Sequence, residues 1–219
     1  MLALDTATPA MTVALHDGSR LLAGRVTVSS RGHGELLAAM IEQVLTAAGA
    51  ARSDLEAVAV GTGPGPYTGL RAGLITARVL ASALAVPAVG VCTLDVIARS
   101  AAGGADGREF VVAADARRKE VYWARYTPAG ERVGEPAVAA PAVLAAEIGP
   151  SCPVAGQGPE LYPELAVRPI PPPYPDAGQL AEIAAQQLAL GAPAAPPEPL
   201  YLRRPDARVP GKPKRVTPA

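Results

Sequence analysis

The sequence predicts a mixed α/β protein built from two lobes, the second of them abbreviated. Three observations support this prediction: three short apolar segments open the chain, strand and helix patterns then alternate, and the opening pattern returns after residue 110. With 219 residues, of which 49% are hydrophobic and 18% charged, the chain can bury a core without disulfides or a structural metal.

The opening segments have the length and spacing of a β-meander. Residues 2–5, 11–16 and 21–28 are short apolar runs, and the turn-forming sequences Thr8-Pro9 and Asp17-Gly18-Ser19-Arg20 separate them. We therefore expect three antiparallel strands.

Residues 33–48 have the apolar spacing of an amphipathic helix, which Ser29 or Ser30 can cap and Gly49 can end. The apolar face consists of Leu36, Leu37, Met40, Ile41, Val44, Leu45 and Ala48. This arc is wider than contact with one sheet usually needs, so we expect part of it to remain outside as a partner surface. Burial in the chain's own core is the alternative.

A strand over residues 57–60 leads into the glycine-rich loop Gly61-Thr-Gly-Pro-Gly-Pro-Tyr-Thr-Gly69 and then a helix over 70–85. A strand at 89–92 and a helix at 94–100 follow. The order β-β-β-α-β-α-β-α is that of the ribonuclease H-like fold shared by actin-like ATPases.

The second half repeats the opening meander loosely. Strand patterns recur at 111–115, 120–126 and 131–133, with Asp115 at the position of Asp5. Helices are expected at 143–148 and 179–190, and a short strand at 153–155. The predicted domains are an N-terminal actin-like lobe over 1–104, a C-terminal actin-like lobe over 105–202, and a basic proline-rich tail over 203–219.

Charge is unevenly distributed along the chain. Residues 1–202 hold 14 basic and 19 acidic side chains, whereas residues 203–219 hold 6 basic and 1 acidic. The chain as a whole is therefore not a nucleic-acid-binding surface. The tail has two interpretations, a solubilising segment or a contact with RNA phosphates.

The sequence also favours a cytoplasmic protein. Its two cysteines are too few for a disulfide framework, no basic region precedes an apolar stretch at the start, and Pro87 interrupts the longest uncharged stretch, residues 79–94. The two histidines, His16 and His33, fall on different elements, and Leu37 occupies the position four after His33. We therefore expect no metal site and no catalytic residue.

Asp5 and Asp115, each at a strand end, would face each other across the cleft of such a fold. The same cleft would include Gly63, Gly65, Thr68, Gly69, Gly156 and Gly158. Leu70 and Arg71 replace the lysine and hydroxyl residue of a P-loop, so the cleft is expected to be vestigial and to need no cofactor. Weak adenine-nucleotide binding stays open, as does the alternative that the glycines only allow tight packing.

Five segments that span nearly the whole chain resemble the TsaB (YeaZ) family of glycoprotease-like proteins. They are residues 2–7, 30–37, 61–73, 115–122 and 199–203, and the third is highly specific. Gly34 and Pro66 stand where relatives often have serine.

The resemblance implies a non-catalytic subunit of the cytoplasmic machinery that makes N6-threonylcarbamoyladenosine in ANN-decoding tRNAs. Its partners would be a TsaD-like transferase paralogue and a TsaE-like ATPase, with tRNA bound through the complex and no membrane. The implied interface comprises Arg31, His33, Glu35, Leu36, Leu37, Met40, Ile41, Val44, Arg71, Leu74 and Arg78. The same helical face could pair two copies into a homodimer. An autonomous actin-like ATPase or kinase, or a glycoprotease-like peptidase, is the alternative.

Overall fold

Two β-sheets organise the computed structural model, which describes residues 1–29, 33–191 and 195–203. The first sheet contains β1 (Leu2–Asp5), β2 (Ala10–His16), β3 (Leu21–Val28), β4 (Val58–Gly61) and β5 (Ala88–Val91) in the order β3-β2-β1-β4-β5. β1 pairs antiparallel with β2, Leu2 opposite Leu15, and parallel with β4, Leu2 opposite Val58. The predicted meander is confirmed.

Helices cover both faces of this sheet, which explains why its central strands are apolar throughout. They are α1 (His33–Ala48), α2 (Tyr67–Leu84) and α6 (Ala177–Ala189), whereas α3 (Thr93–Ala101) packs on α6 and on the second sheet. Leu2 and Leu4 point into the core shared with α1 and α2, whereas Ala3 points into the core shared with α6. The two faces alternate along β1 as the period of a strand requires.

The second sheet repeats the same arrangement with fewer parts. It contains β6 (Phe110–Asp115), β7 (Val121–Tyr126), β8 (Arg132–Ala139) and β9 (Val154–Ala155) in the order β8-β7-β6-β9, and the helices α4 (Pro141–Ile148) and α5 (Gly158–Leu161) follow its strands. β6 pairs antiparallel with β7 and parallel with β9, as β1 does with β2 and β4. The second sheet is therefore a shortened copy of the first.

α6 returns the chain to the first sheet. Asp176 caps the helix by accepting a hydrogen bond from the Gln179 amide at 2.9 Å, and the Ala177 amide donates to Thr12 Oγ1 at 3.1 Å. Ala181 and Ala184 are small enough to let the helix lie close to the strands. The domain boundaries remain a prediction, but α6, predicted in the second lobe, packs on the first.

Residues 195–203, which we call the strap, connect the two sheets. The Gly90 amide donates to the Ala195 carbonyl at 2.8 Å, and the Leu200 amide donates to the Thr62 carbonyl at 2.8 Å. At the other end, Arg203 Nη1 donates to the Ala116 carbonyl at 3.0 Å. The strap therefore ends on the turn between β6 and β7.

The wide apolar face of α1 is mostly buried, which corrects part of the sequence prediction. Leu37 and Val44 have no exposed surface, and Met40 and Ile41 are only 4% and 6% exposed. The reason is that α1 packs against β2, β3 and α2, so several neighbours share its arc. Leu74 of α2 is buried in the same core.

Three residues of the predicted interface cannot be placed. Arg31 lies outside the described residues, as do the side chains of His33 and Glu35. Among the helices that the structure describes, none has both the length and the apolar character needed to cross a membrane.

Candidate functional site

Asp5 sits at the end of the central strand of the first sheet and is completely buried. Its Oδ1 accepts a hydrogen bond from the Ala7 amide at 2.7 Å, and its Oδ2 accepts one from the Thr93 hydroxyl at 2.7 Å. Desolvation raises the pKa of Asp5 to about 6, against the opposing effect of these two hydrogen bonds. Asp5 therefore has no exposed surface, and its position opposite Asp115 across the cleft stays a prediction.

The glycine-rich loop packs against the turn that follows Asp5. A Cβ atom on Gly65 would overlap the carbonyl oxygen of Ala7, and one on Gly73 would overlap Thr6 Oγ1. Thr6 Oγ1 donates to the Gly69 carbonyl at 2.7 Å and accepts from the Gly73 amide at 3.1 Å. These contacts favour the interpretation of the glycines as packing positions.

Gly63 is held from the opposite side of the loop. Its amide donates to Thr93 Oγ1 at 3.1 Å, and its carbonyl accepts from the Thr93 amide at 2.8 Å. Gly63 and Gly69 are buried, while Thr68 is exposed at the start of α2. The loop therefore connects β4, α2 and α3 through its own backbone.

Asp115 occupies the equivalent position in the second sheet, as the repeat predicted. Its Oδ1 accepts from the Arg117 amide at 2.8 Å, which matches the contact between Asp5 and the Ala7 amide two residues further on. Unlike Asp5, it also forms an ion pair with Arg117 at 3.4 Å. The two carboxylates therefore differ: Asp5 is completely buried, whereas Asp115 forms an ion pair with Arg117.

Gly156 and Gly158, which the sequence places in the vestigial cleft, also pack tightly. Gly156 has φ of +87°, and a Cβ there would overlap the Ala113 carbonyl oxygen, while a Cβ on Gly158 would lie 2.7 Å from the Ala113 Cβ. These contacts support the alternative that the glycines only allow tight packing.

The other chemistry-bearing side chains are dispersed. His16 Nδ1 accepts from the Gly18 amide at 3.0 Å, and burial raises the pKa of the Cys92 thiol to about 12, which keeps it protonated. Within residues 1–29, 33–191 and 195–203, no three His, Cys, Asp or Glu side chains group as metal ligands would.

An open groove lies between α1 and α2 on the outer side of the first lobe. Its volume is about 420 Å³, and it is lined by Ala38, Ala39, Ile41, Glu42, Arg52, Thr76, Val79, Leu80 and Ala83. Ile75 and Val79, one turn apart on α2, are 59% and 63% exposed. We call Ile75, Val79 and this groove the docking face.

One edge of the docking face carries an ion pair. Arg52 Nε donates to Glu42 Oε1 at 2.9 Å, and both side chains are exposed. Arg71 and Arg78 are also exposed on α2. The docking face thus combines a small-residue apolar centre with a charged rim, which is the composition of a protein contact surface.

Of the residues predicted for a partner interface, Leu36, Arg71 and Arg78 are exposed. Ile75 and Val79 were not among the predicted residues. A signal was present, because these two β-branched residues recur at a spacing of four on the side of α2 opposite Leu74 and Ala77.

Two sheets with the same meander and parallel strand, each with an aspartate at the end of its central strand, define the actin-like ATPase, or ribonuclease H-like, class of fold. The YeaZ structure from Pseudomonas aeruginosa superposes with a TM-score of 0.76 at 33% identity, covering 92% of this chain and 98% of that one.

Sequence comparisons agree. A family model described as "TsaD: tRNA N6-adenosine threonylcarbamoyltransferase" matches residues 27–207. An uncharacterised protein of Mycobacterium tuberculosis is 44% identical over 95% of this chain and 93% of its own length. The "tRNA threonylcarbamoyladenosine biosynthesis protein TsaB" of Escherichia coli is 39% identical over 58% of this chain and 54% of its own length. The chain belongs to the TsaB/YeaZ family.

Proposed function

We propose that this chain is a non-catalytic subunit of the machinery that makes N6-threonylcarbamoyladenosine in tRNA. In this proposal it binds and activates a TsaD-like transferase subunit, together with a TsaE-like ATPase. The names of its TsaB relatives indicate the pathway. The exposed apolar residues of the docking face are the observation that supports a role as a binding subunit.

The docking face fits a helix of a partner protein. Ala38, Ala39 and Ala83 are small enough for a second helix to approach closely, and Ile75 and Val79 offer apolar side chains on one line. Burying such side chains contributes about 1.5–3 kcal/mol each. Contacts with α2 and the outer side of α1 would therefore contribute most of the free energy of binding to the partner.

The burial of Asp5 supports an accessory role over the enzyme alternatives. Asp5 is buried, and its hydrogen bonds go to Ala7 and Thr93, so a magnesium ion or a phosphate would have to displace internal contacts. The glycine loop that could approach a phosphate is instead pressed against Ala7. Weak binding of an adenine nucleotide, considered from the sequence, stays a prediction.

Co-elution with a TsaD-like partner on size exclusion tests the proposal. The variant Val79→Arg should abolish the complex, because a lone arginine in an apolar contact costs several kcal/mol, on the order of 3–5. Val143→Arg is a matched control, since Val143 is 62% exposed on α4 in the other lobe. A complex that survives Val79→Arg would contradict the proposal.

Substitution of Met40, a residue of the interface that the resemblance implies, would not give a clean result. Met40 is 4% exposed, so an arginine there would disrupt the core of the first lobe before it reached any partner.

The same docking face could also join two copies when the partner is missing. In that case Val79→Arg should convert a dimer of the isolated chain into a monomer in sedimentation velocity, and Val143→Arg should not.

A further inference from the structure

The turn between β6 and β7 has an unusual backbone. Arg117, Arg118 and Lys119 all have positive φ, of 60°, 56° and 59°. Non-glycine residues adopt this region rarely, and strain of this kind concentrates at functional positions. All three of these basic side chains are exposed at the surface.

A pocket of about 400 Å³ lies between this turn and the start of α2. Three of the chain's six tyrosines, Tyr67, Tyr122 and Tyr201, line it together with Arg117 and Arg203. Tyr67 and Tyr201 stack with their ring centroids 5.8 Å apart and their planes 20° apart. They are also exposed, at 56% and 44%.

Arg71 completes the aromatic pair. Its guanidinium lies 4.0 Å from the centroid of the Tyr67 ring, and its Nε donates to the Tyr201 hydroxyl at 2.9 Å. An arginine on the face of one ring and bonded to the other leaves the charged group at the surface. The pocket therefore has cations on both sides of exposed aromatic rings.

The charge of this region contrasts with the rest of the chain. Arg117 and Arg203 line the pocket and pair with Asp115 and Glu120. Arg71 contacts two of the lining tyrosines, and Lys119 adds a further cation on the same turn as Arg117. Residues 1–202 as a whole carry 14 basic and 19 acidic side chains. A local excess of positive charge on an otherwise acidic chain indicates an anionic ligand.

We propose that this patch binds tRNA directly, with the cations contacting successive phosphates and the exposed tyrosine pair stacking an unpaired base. The cations belong to three separate elements, α2, the β6–β7 turn and the strap, so they suit a polyanion more than one phosphate group. Cationic grooves with exposed aromatic rings are the common device for single-stranded RNA. The inference rests on the proposed function, which assigns the chain to a tRNA-modifying complex.

The test is the affinity of the full-length chain for an unmodified tRNA transcript, measured at several salt concentrations. Replacing both Arg117 and Lys119 by glutamate should raise Kd at least tenfold and reduce the slope of log K against log salt by about two. The double variant Arg25→Glu with Arg108→Glu is the matched control, because both residues are exposed, lie elsewhere and give the same change of charge.

A second variant separates stacking from charge and protects against a folding artefact. Tyr67→Ala keeps every cation, so it should weaken tRNA binding severalfold without changing the salt slope. Unchanged circular dichroism and thermal midpoint in each variant show that the fold is retained.

Three outcomes would overturn the inference. The wild-type chain could fail to bind tRNA, the two double variants could lose affinity equally, or the Arg117 and Lys119 variant could lose only its protein partner, which would make the patch a protein contact. A chain that co-elutes with a TsaD-like partner but does not bind tRNA would overturn this inference alone. Loss of co-elution in Val79→Arg is the separate test of the proposed function.

Discussion

The buried carboxyl of Asp5 makes the stability of the fold depend on pH, and Asp5→Asn should remove that dependence. The pKa of Asp5 is about 6 in the folded chain, above its ordinary value of 3.8. Between these values the native state holds a proton that the unfolded chain has released, so the free energy of unfolding falls as the pH rises. A shift of about two pKa units corresponds to about 3 kcal/mol.

Asparagine cannot ionise, and its amide can still accept from Ala7 and contact Thr93. The difference in unfolding free energy between Asp5→Asn and wild type should therefore shift in favour of the variant by about 2 kcal/mol between pH 4 and pH 6. Urea unfolding followed by far-UV circular dichroism at pH 4, 6 and 7 measures this difference. A difference that stays constant across the three pH values would refute the assignment of a desolvated carboxyl.

Two further predictions also concern the stability of the fold. The pKa of Asp17 shifts in the opposite direction to that of Asp5. Hydrogen bonds to this exposed carboxyl, above all from the Ser19 hydroxyl and then from the Ser19 and Arg20 amides, hold its pKa well below its usual range. Asp17→Asn should therefore lower the thermal midpoint at pH 7, and the loss should shrink as the pH falls below 4; a loss of equal size at pH 3 would contradict it. Gly65→Ala should lower the free energy of unfolding by about 3 kcal/mol, because the added Cβ would overlap the Ala7 carbonyl. Gly34→Ala on α1, where a Cβ would meet nothing within 4 Å, should instead raise the free energy of unfolding, by at most about 1 kcal/mol. Equal effects at the two glycines would show that the loop is not tightly packed.

The order of the elements could be predicted because it depends on local signals. Turn sequences separate β1, β2 and β3, and Gly49 ends α1 with φ of +66° as a left-handed C-terminal glycine does. The predicted start of α2 at residue 70 was three residues late. The helix begins at Tyr67, after Pro66, and its exposed first residues carry no apolar periodicity.

The candidate sites were harder to predict because they depend on which elements pack against each other in the folded chain. The apolar arc of α1 could be counted from the sequence, but its division among β2, β3 and α2 could not. Stacking of Tyr201 on Tyr67 joins residues 134 positions apart, and no local pattern marks such a pair. The three left-handed residues after Ala116 are also unexpected, since arginine and lysine do not favour that conformation.

The return of α6 to the first sheet has a consequence for biosynthesis. Ala3, Ala14 and Ala59 form one face of that sheet, and the helix that covers them is completed only at residue 189. The ribosome synthesises the N-terminal strands long before α6, so this face of the sheet stays exposed to solvent while most of the polypeptide is still being made. The first lobe therefore cannot mature as an independent nascent domain, and a fragment that stops after residue 104 would emerge with half of its sheet unprotected.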